Sequence, residues 1–378
     1  MPAYNTAADV AHPQTGHLLS DIPAHDPFIL ADHQTHTYYL YTGGAPWLNG
    51  MERYGVLTYT SKDLQYWEGP HVVFTIPDDT WAHPQHGAWA PEVHDHEGKY
   101  YLFVTLHNKE RMLDGEPIQG YDKHWRGTVI AVSDSPAGPF LMNNTERPIV
   151  PETMMTLDGT LYRDEHNDPW MVYCHEWVQT IDGTMEAVRL NEDWSAAVGK
   201  PMHLFSGSAV PWLSAQPSSD EGIQTVHSSE QVPQAKGNDS NQLQQSDLHH
   251  SQDVEHPQHD NVDEAQLISH ESAMKETAVY VTDGCQLYRT SGGNLVMLWS
   301  SYENDSYVQT IARSVSGKLE GPWEQLEPLV KQDSGHGMLF QTFDGQWKLV
   351  LHRPFPMPES RCLLFDMVDT GDSFRLAR

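Results

Sequence analysis

A five-bladed β-propeller is predicted by three features of this sequence: a recurring hairpin motif, a near-constant spacing between its copies, and the strand-turn-strand pattern after each. Residues 157–163 (LDGTLYR) have an imperfect copy at 282–289 (TDGCQLYR). In both, an Asp-Gly pair opens an apolar strand ending in Tyr-Arg, a polar turn follows, and the next strand is aromatic and aliphatic (WMVYC, LVMLW). Asp26, Glu92 and His336 open three further stretches of the same kind, so the anchors are Asp26, Glu92, Asp158, Asp283 and His336. They lie 66, 66, 125 and 53 residues apart, and the long interval falls to 64 without residues 216–276, which hold no Phe, Trp or Tyr. Sheet units of roughly 40 to 65 residues that return to one kind of anchor mark a propeller. The first strand of every blade lines the central channel, so the anchors should converge on one axis.

Taken in order, residues 1–24 are polar and are expected to run over the surface or close the ring. Blade one follows Asp26-Pro27 with FIL, TYYLYT and GVLTYT, alternating and rich in aromatic and β-branched residues as strands are. Blade two begins near Glu92. Between them TWAHPQHGAWAPEV reads as a pocket rim, with Trp81 or Trp89 offering an apolar face to a sugar ring and histidines offering hydrogen bonds. His83 and His86 lack the second ligand pair of a zinc site, and no metal is assigned there. Gly-Pro-aromatic endings (EGP, GPF, GPW) read as turns before outer strands. Blade three runs from Asp158 to about Leu204 and carries Glu176 in CHEW.

Residues 216–276 contain ten Gln, six His and twelve acids against two bases, a composition too polar to offset the entropy of ordering. They are expected to form a disordered insertion between blades three and four, with the histidines at 249, 250, 256 and 259 in solvated linker. The expected organisation is one all-β domain: blades one to three in 1–215, the insertion, and blades four and five in 277–378.

The chain has 378 residues, 22 Lys plus Arg and 52 Asp plus Glu, for a formal net charge of −30. That balance argues against nucleic acid or an anionic membrane as partner and suits a neutral substrate such as an oligosaccharide or polysaccharide. Cys174, Cys285 and Cys362 show no metal-ligand spacing and are expected to be reduced. No apolar run approaches a membrane span of about 18 residues and no signal-peptide pattern opens the chain. A cytoplasmic location is the expectation, and a chain trimmed of its signal peptide would read the same.

Converging carboxylates must raise one another's pKa values unless a cation or substrate separates them. Two carboxyl groups across a channel can hydrolyse a glycosidic bond, one protonating the leaving oxygen and the other activating water, while a third orients the proton donor. Asp26, Asp158 and Asp283 meet those needs. A channel lined by acids would also suit a structural Ca²⁺ near the axis, although no cofactor is required.

Here HDPF (25–28), WAPEV (89–93), the LDGTLY hairpin, TDGCQLYR, SGKLEGPW and GHGMLF (335–340) together make the chain similar to glycoside hydrolase family 43, across all five blades. The resemblance implies a five-bladed propeller enzyme acting on arabinan, xylan and related plant polysaccharides with inversion, α-L-arabinofuranosidase or β-xylosidase being the expected activities. It places the general base on Asp26 and the residue that tunes and orients the acid on Asp158. The family's fourth-blade acid is usually a Glu followed by Gly-Pro, whereas this chain has Asp283-Gly284-Cys285. Asp withdraws the carboxyl by roughly 1.5 Å, so three readings stay open: Asp283 is the acid in a narrower channel, Glu176 supplies the proton, or the propeller binds sugar without catalysis. Trp89, Trp81, Glu92, Glu176 and His336 are the candidate substrate-binding residues. A related fructan-acting enzyme is a further reading, against which the first-blade match is only His25-Asp26-Pro27-Phe28; the RDE at 163–165 reads as a surface turn.

Overall fold

The computed structural model describes residues 16–213, 215 and 278–378. The expected insertion at 216–276, with its histidines, lies outside the described residues. The described chain forms five antiparallel sheets arranged as a propeller. Blade one contains β2 (Phe28–Asp32), β3 (Thr37–Gly44), β4 (Gly55–Ser61) and β5 (Tyr66–Thr75), with β1 (His17–Leu18) added outside β5. Blade two contains β6 (Ala88–His96), β7 (Lys99–Met112), β8 (His124–Ser133) and β9 (Leu141–Met142). Blade three contains β10 (Thr156–Arg163), β11 (Pro169–His175), β12 (Thr184–Leu190) and β13 (Ala197–Ser206). Blade four contains β14 (Asp283–Arg289), β15 (Leu295–Glu303), β16 (Ser306–Ser314) and β17 (Trp323–Gln325). Blade five contains β18 (Gly335–Gln341), β19 (Trp347–Arg353), β20 (Arg361–Asp369) and β21 (Phe374–Leu376).

The N-terminal stretch closes the ring as well as edging blade one. Pro23 bridges to Arg361, Ala24 N–H donates to Ser360 O at 3.2 Å, and Ser360 Oγ returns a bond to Ala24 O at 2.8 Å. First and last blades are thereby joined by backbone contacts. The three cysteines are free and buried. The Gly-Pro turns at 138 and 321 lead into the outer strands β9 and β17, while Gly69-Pro70 falls within β5.

What repeats at the axis is a backbone feature more than a carboxylate. The inner strands β6, β10, β14 and β18 each shift register between residues 89 and 92, 157 and 160, 283 and 286, and 335 and 338. At each shift one residue adopts positive φ: Ala90 (45°), Asp158 (55°), Gly284 (54°) and His336 (49°), and Asp26 before β2 does the same (49°). A bulge bends the strand and re-aims a side chain. The N–H groups it frees from the ladder are taken up by the preceding blade in four of the five cases. Asp26 N–H donates to His352 Nδ1 (3.2 Å), Asp158 N–H to Thr105 Oγ1 (2.9 Å), Gly284 N–H to Asp158 Oδ2 (3.0 Å) and His336 N–H to Ser300 Oγ (2.8 Å). These approaches are close: a Cβ on Gly337 would meet Gln309 Oε1 at 2.6 Å and one on Gly159 would meet Thr128 Oγ1 at 2.6 Å.

The anchor assignment is therefore corrected at two blades. The equivalent of Asp26 is Ala90 in blade two and Gly284 in blade four, so Glu92 sits two residues past its bulge and Asp283 one residue before its own. Glu92 is carried further down the channel. There it accepts bonds from Thr160 Oγ1 (2.7 Å) and Gln286 Nε2 (2.8 Å) and lies 3.0 Å from His94 Nε2. Tyr288 OH donates to Gln286 and accepts from Leu339 N–H, which extends the network to blade five. Glu92→Ala is expected to strip Thr160, Gln286 and His94 of a buried acceptor and to lower stability by about 2–5 kcal/mol, read as a shifted midpoint in chemical denaturation.

Candidate active site

A pocket opens at one mouth of the channel, and Asp26, Asp158, Asp283 and Glu176 all line it. Each arrives by a different route. Asp26 and Asp158 are bulge residues, Asp283 opens β14, and Glu176 follows β11 as the residue that caps the short helix α1 (Trp177–Thr180).

Three imidazoles surround Asp26. Its Oδ1 lies 2.8 Å from His25 Nδ1, 3.1 Å from His336 Nδ1 and 3.4 Å from His352 Nδ1, although none is aligned as a hydrogen bond to that oxygen. Burial alone would raise the carboxyl, but His25 and the other two rings outweigh it and hold Asp26 well below the usual carboxylate range. For His25, burial pulls the ring down and the Asp26 charge overrides it, so its pKa is raised. His352 is fully buried, accepts the Asp26 N–H, and is pushed well below the ordinary imidazole value by burial.

Asp158 is the opposite case. Burial raises it well above the usual range, and the neighbouring charge of Asp283, a hydrogen bond shared with Asp283, and Asp26 raise it further. Asp283 Oδ2 accepts from Tyr307 OH at 2.6 Å, and His336 Nδ1 stands 3.8 Å from both Asp158 Oδ2 and Asp283 Oδ1. The two carboxyls form a pair that keeps a proton next to an ionised Asp26. Their different surroundings push apart groups that are alike in free solution.

Glu176 is buried and ion-paired with Arg126. Burial raises its carboxyl and the guanidinium pulls it back. Trp89 lines the pocket as expected, together with Trp47, Trp177, Tyr54 and Phe355. Three of the candidate sugar-binding residues do not line it. Trp81 is 1% exposed and packs against Trp125 in the core, because its chain segment turns inward to bond Thr145 O and Asn108 Nδ2. Glu92 is tied into the channel network described above, and His336 lies beneath the three aspartates at 8% exposure.

Local sequence gave no signal for His352, Tyr307 or Arg126, which come from β19, β16 and β8. His25 was adjacent to a motif residue and could have been found from the HDP run.

Asp158, Asp283 and His336 place three ligand atoms within 4.8 Å of one another. Two carboxylates and one imidazole fall short of the six to eight oxygens Ca²⁺ takes, so an ion there would draw most of its coordination from water. The rim histidines His83 and His86 stack at 3.8 Å, and their Nδ1 atoms accept the N–H groups of Gln85 (3.1 Å) and Lys109 (3.0 Å). In the neutral rings the proton therefore sits on Nε2, which occupies the lone pair a metal would need.

The family model for glycosyl hydrolases family 43 matches residues 20–229. No curated protein matches the chain. Among solved structures, an endo-arabinase from Bacteroides thetaiotaomicron is 30% identical with a TM-score of 0.68, over 93% of this chain and 97% of that one. An endo-1,4-beta-xylanase from the same organism is 18% identical with a TM-score of 0.62, over 94% of each chain. An alpha-L-arabinanase from Cellvibrio cellulosa, complexed with arabinohexaose, is 14% identical with a TM-score of 0.54, over 94% of this chain and 96% of that one. The last two likenesses are likenesses of fold.

Proposed function

Because the chain belongs to glycosyl hydrolases family 43, we propose that its pocket cleaves arabinofuranosyl linkages in plant polysaccharide or its oligosaccharides by an inverting acid/base mechanism. The observation that carries this reading is the opposed state of the carboxyls. Asp26 is held ionised, chiefly by His25 and His336, while buried Asp158 holds the proton it shares with Asp283 at the same pocket.

In this mechanism Asp26 takes a proton from the water that attacks the anomeric carbon. Asp283 gives a proton to the departing glycosidic oxygen, so the bond to the leaving sugar breaks as the bond to water forms. Asp158 shares and holds the proton that Asp283 delivers. Asp26 Oδ1 and Asp283 Oδ1 lie 3.1 and 3.8 Å from His336 Nδ1, so these two oxygens are at most roughly 7 Å apart, against the 6.5 to 9.5 Å typical of inverting pairs, and the anomer of the product decides the stereochemistry.

The short side chain at 283 does not withdraw the acid from the pocket. Asp283 still lines it, reaches Asp158 and accepts from Tyr307. That contact set favours Asp283 over Glu176 as proton donor: Glu176, although burial raises its carboxyl, is committed to an ion pair with Arg126, whereas Asp283 shares a proton with Asp158. It also counts against a pocket that only binds sugar.

The test is turnover of 4-nitrophenyl α-L-arabinofuranoside, 4-nitrophenyl β-D-xyloside, and arabino- and xylo-oligosaccharides, with proton NMR of the first product formed. The expected result is release from an arabinofuranoside with the anomer inverted. A retained anomer would remove Asp26 as the base that activates water. Turnover of the xylosides alone would keep the mechanism and change the sugar.

A further inference from the structure

One buried charge at the pocket has no part in that mechanism. Arg126, on β8, is 3% exposed and does not line the pocket, yet it contacts two residues that do. Its guanidinium donates to Glu176 Oε2 and its Cζ lies 4.9 Å from the centre of the Trp89 ring. Among the described residues it makes no other side-chain hydrogen bond, and its buried Nε has no acceptor.

We infer that Arg126 is a positioning residue that sets the sugar-binding wall of the pocket, holding Glu176 as a carboxylate that accepts hydroxyl hydrogen bonds and holding Trp89 as a stacking surface for the ring. The inference rests on the reading of this pocket as a glycoside site.

Two physical points separate this role from a simple brace between blades. A buried ion pair recovers its desolvation cost poorly, so apolar residues of similar volume would join the blades as well or better. An apolar pair would, however, leave no anion facing the pocket. An ionised carboxylate only accepts hydrogen bonds, and its two oxygens suit adjacent hydroxyls of a neutral sugar. Trp89 meanwhile has His107 packed on it at 4.0 Å and Arg126 over its ring, which fixes the plane a sugar would stack on.

The charges facing Glu176 are Arg126 from β8 and Asp283 from β14, and the N–H of Val178 also reaches it. Behind Arg126, His124 is pushed down to about 3 by burial and Arg126, and Lys109 to about 8 by the same two causes. Arg126 is thus the cation that offsets part of the rise burial imposes on Glu176. Without it, burial and Asp283 would leave Glu176 protonated up to a higher pH.

The test compares Arg126→Met, Arg126→Lys, Glu176→Gln and the Met/Gln double variant, using KM and kcat on the arabinofuranoside across pH and the Kd for arabinohexaose by calorimetry. Arg126→Met should raise KM and Kd by roughly ten- to a hundredfold with a much smaller change in kcat. The loss should shrink as pH rises, because Glu176 regains its charge. Arg126→Lys should recover part of the affinity. The double variant should lose less affinity than the sum of the two single losses and should lose the pH dependence, because the part of the Arg126 effect that runs through Glu176 is already gone.

A lowered Tm with KM and Kd unchanged would overturn the inference and leave Arg126 as a brace. Additive losses in the double variant would also overturn it. So would a large kcat loss in Glu176→Gln confined to poor leaving groups, which would make Glu176 the proton donor. If the wild type binds arabinohexaose without turnover, the Kd series tests the inference alone. If it neither binds nor hydrolyses any of the sugars, the glycoside reading and this inference fall together.

Discussion

Asp26→Asn is expected to lower kcat on an arabinofuranoside by about 10²–10⁴ while Kd for arabinohexaose changes only a few fold. Asn matches Asp in size but cannot take a proton from water. The loss should appear in kcat because the interaction it removes forms with the attacking water in the transition state. The position also offers a second readout. Asp26 sits at φ 49°, a region that glycine enters freely, so Asp26→Gly keeps the bulge and opens space where the carboxylate stood. A small anion such as azide should then attack in place of activated water and give a glycosyl azide of inverted configuration, detected by NMR. A variant that retains full activity, or an azide product with retained configuration, would remove Asp26 from the role of base.

The same position shows what the sequence could and could not disclose. Five repeats were legible because each blade's inner hairpin alternates apolar residues at a readable spacing. Asp26, Asp158 and Asp283 were legible because they open or precede those strands. The register of the repeat was not, since it is set by a positive-φ bulge that tolerates Asp, Ala, Gly or His alike. A pattern built on acids therefore took Glu92 as an anchor, and Glu92 proves to be a channel residue two positions on. Trp81 was misplaced for a related reason: composition marks a rim loop but does not tell which of its tryptophans turns inward. The surroundings of the acids were hidden altogether. His352, Tyr307 and Arg126 stand on second and third strands of blades five, four and two, and only the closed ring brings them to the pocket.

Those surroundings dictate the pH dependence. Asp26 is held well below the usual carboxylate range, so it stays ionised across the ordinary working range and should set no acid limb there. Asp158 is raised by burial, by the neighbouring Asp283 charge and by the hydrogen bond it shares with Asp283, so the shared proton is held there. Activity should therefore hold on the acid side and fall as pH rises through the raised pKa of Asp158, when the proton held for the leaving oxygen is lost. Asp158→Asn removes the raised carboxyl that holds the shared proton, so the alkaline limb of kcat/KM should move to lower pH. Asp283→Asn should reduce kcat by about 10²–10⁴ on an arabinoside with a poor leaving group. With a dinitrophenyl leaving group the loss should be far smaller, because a departing oxygen of low basicity needs little protonation. Glu176 provides the contrast within the same pocket: if it only binds sugar, Glu176→Gln should impair both leaving groups equally. A steep leaving-group dependence in Glu176→Gln, and none in Asp283→Asn, would transfer the proton to blade three and leave Asp283 as its neighbour.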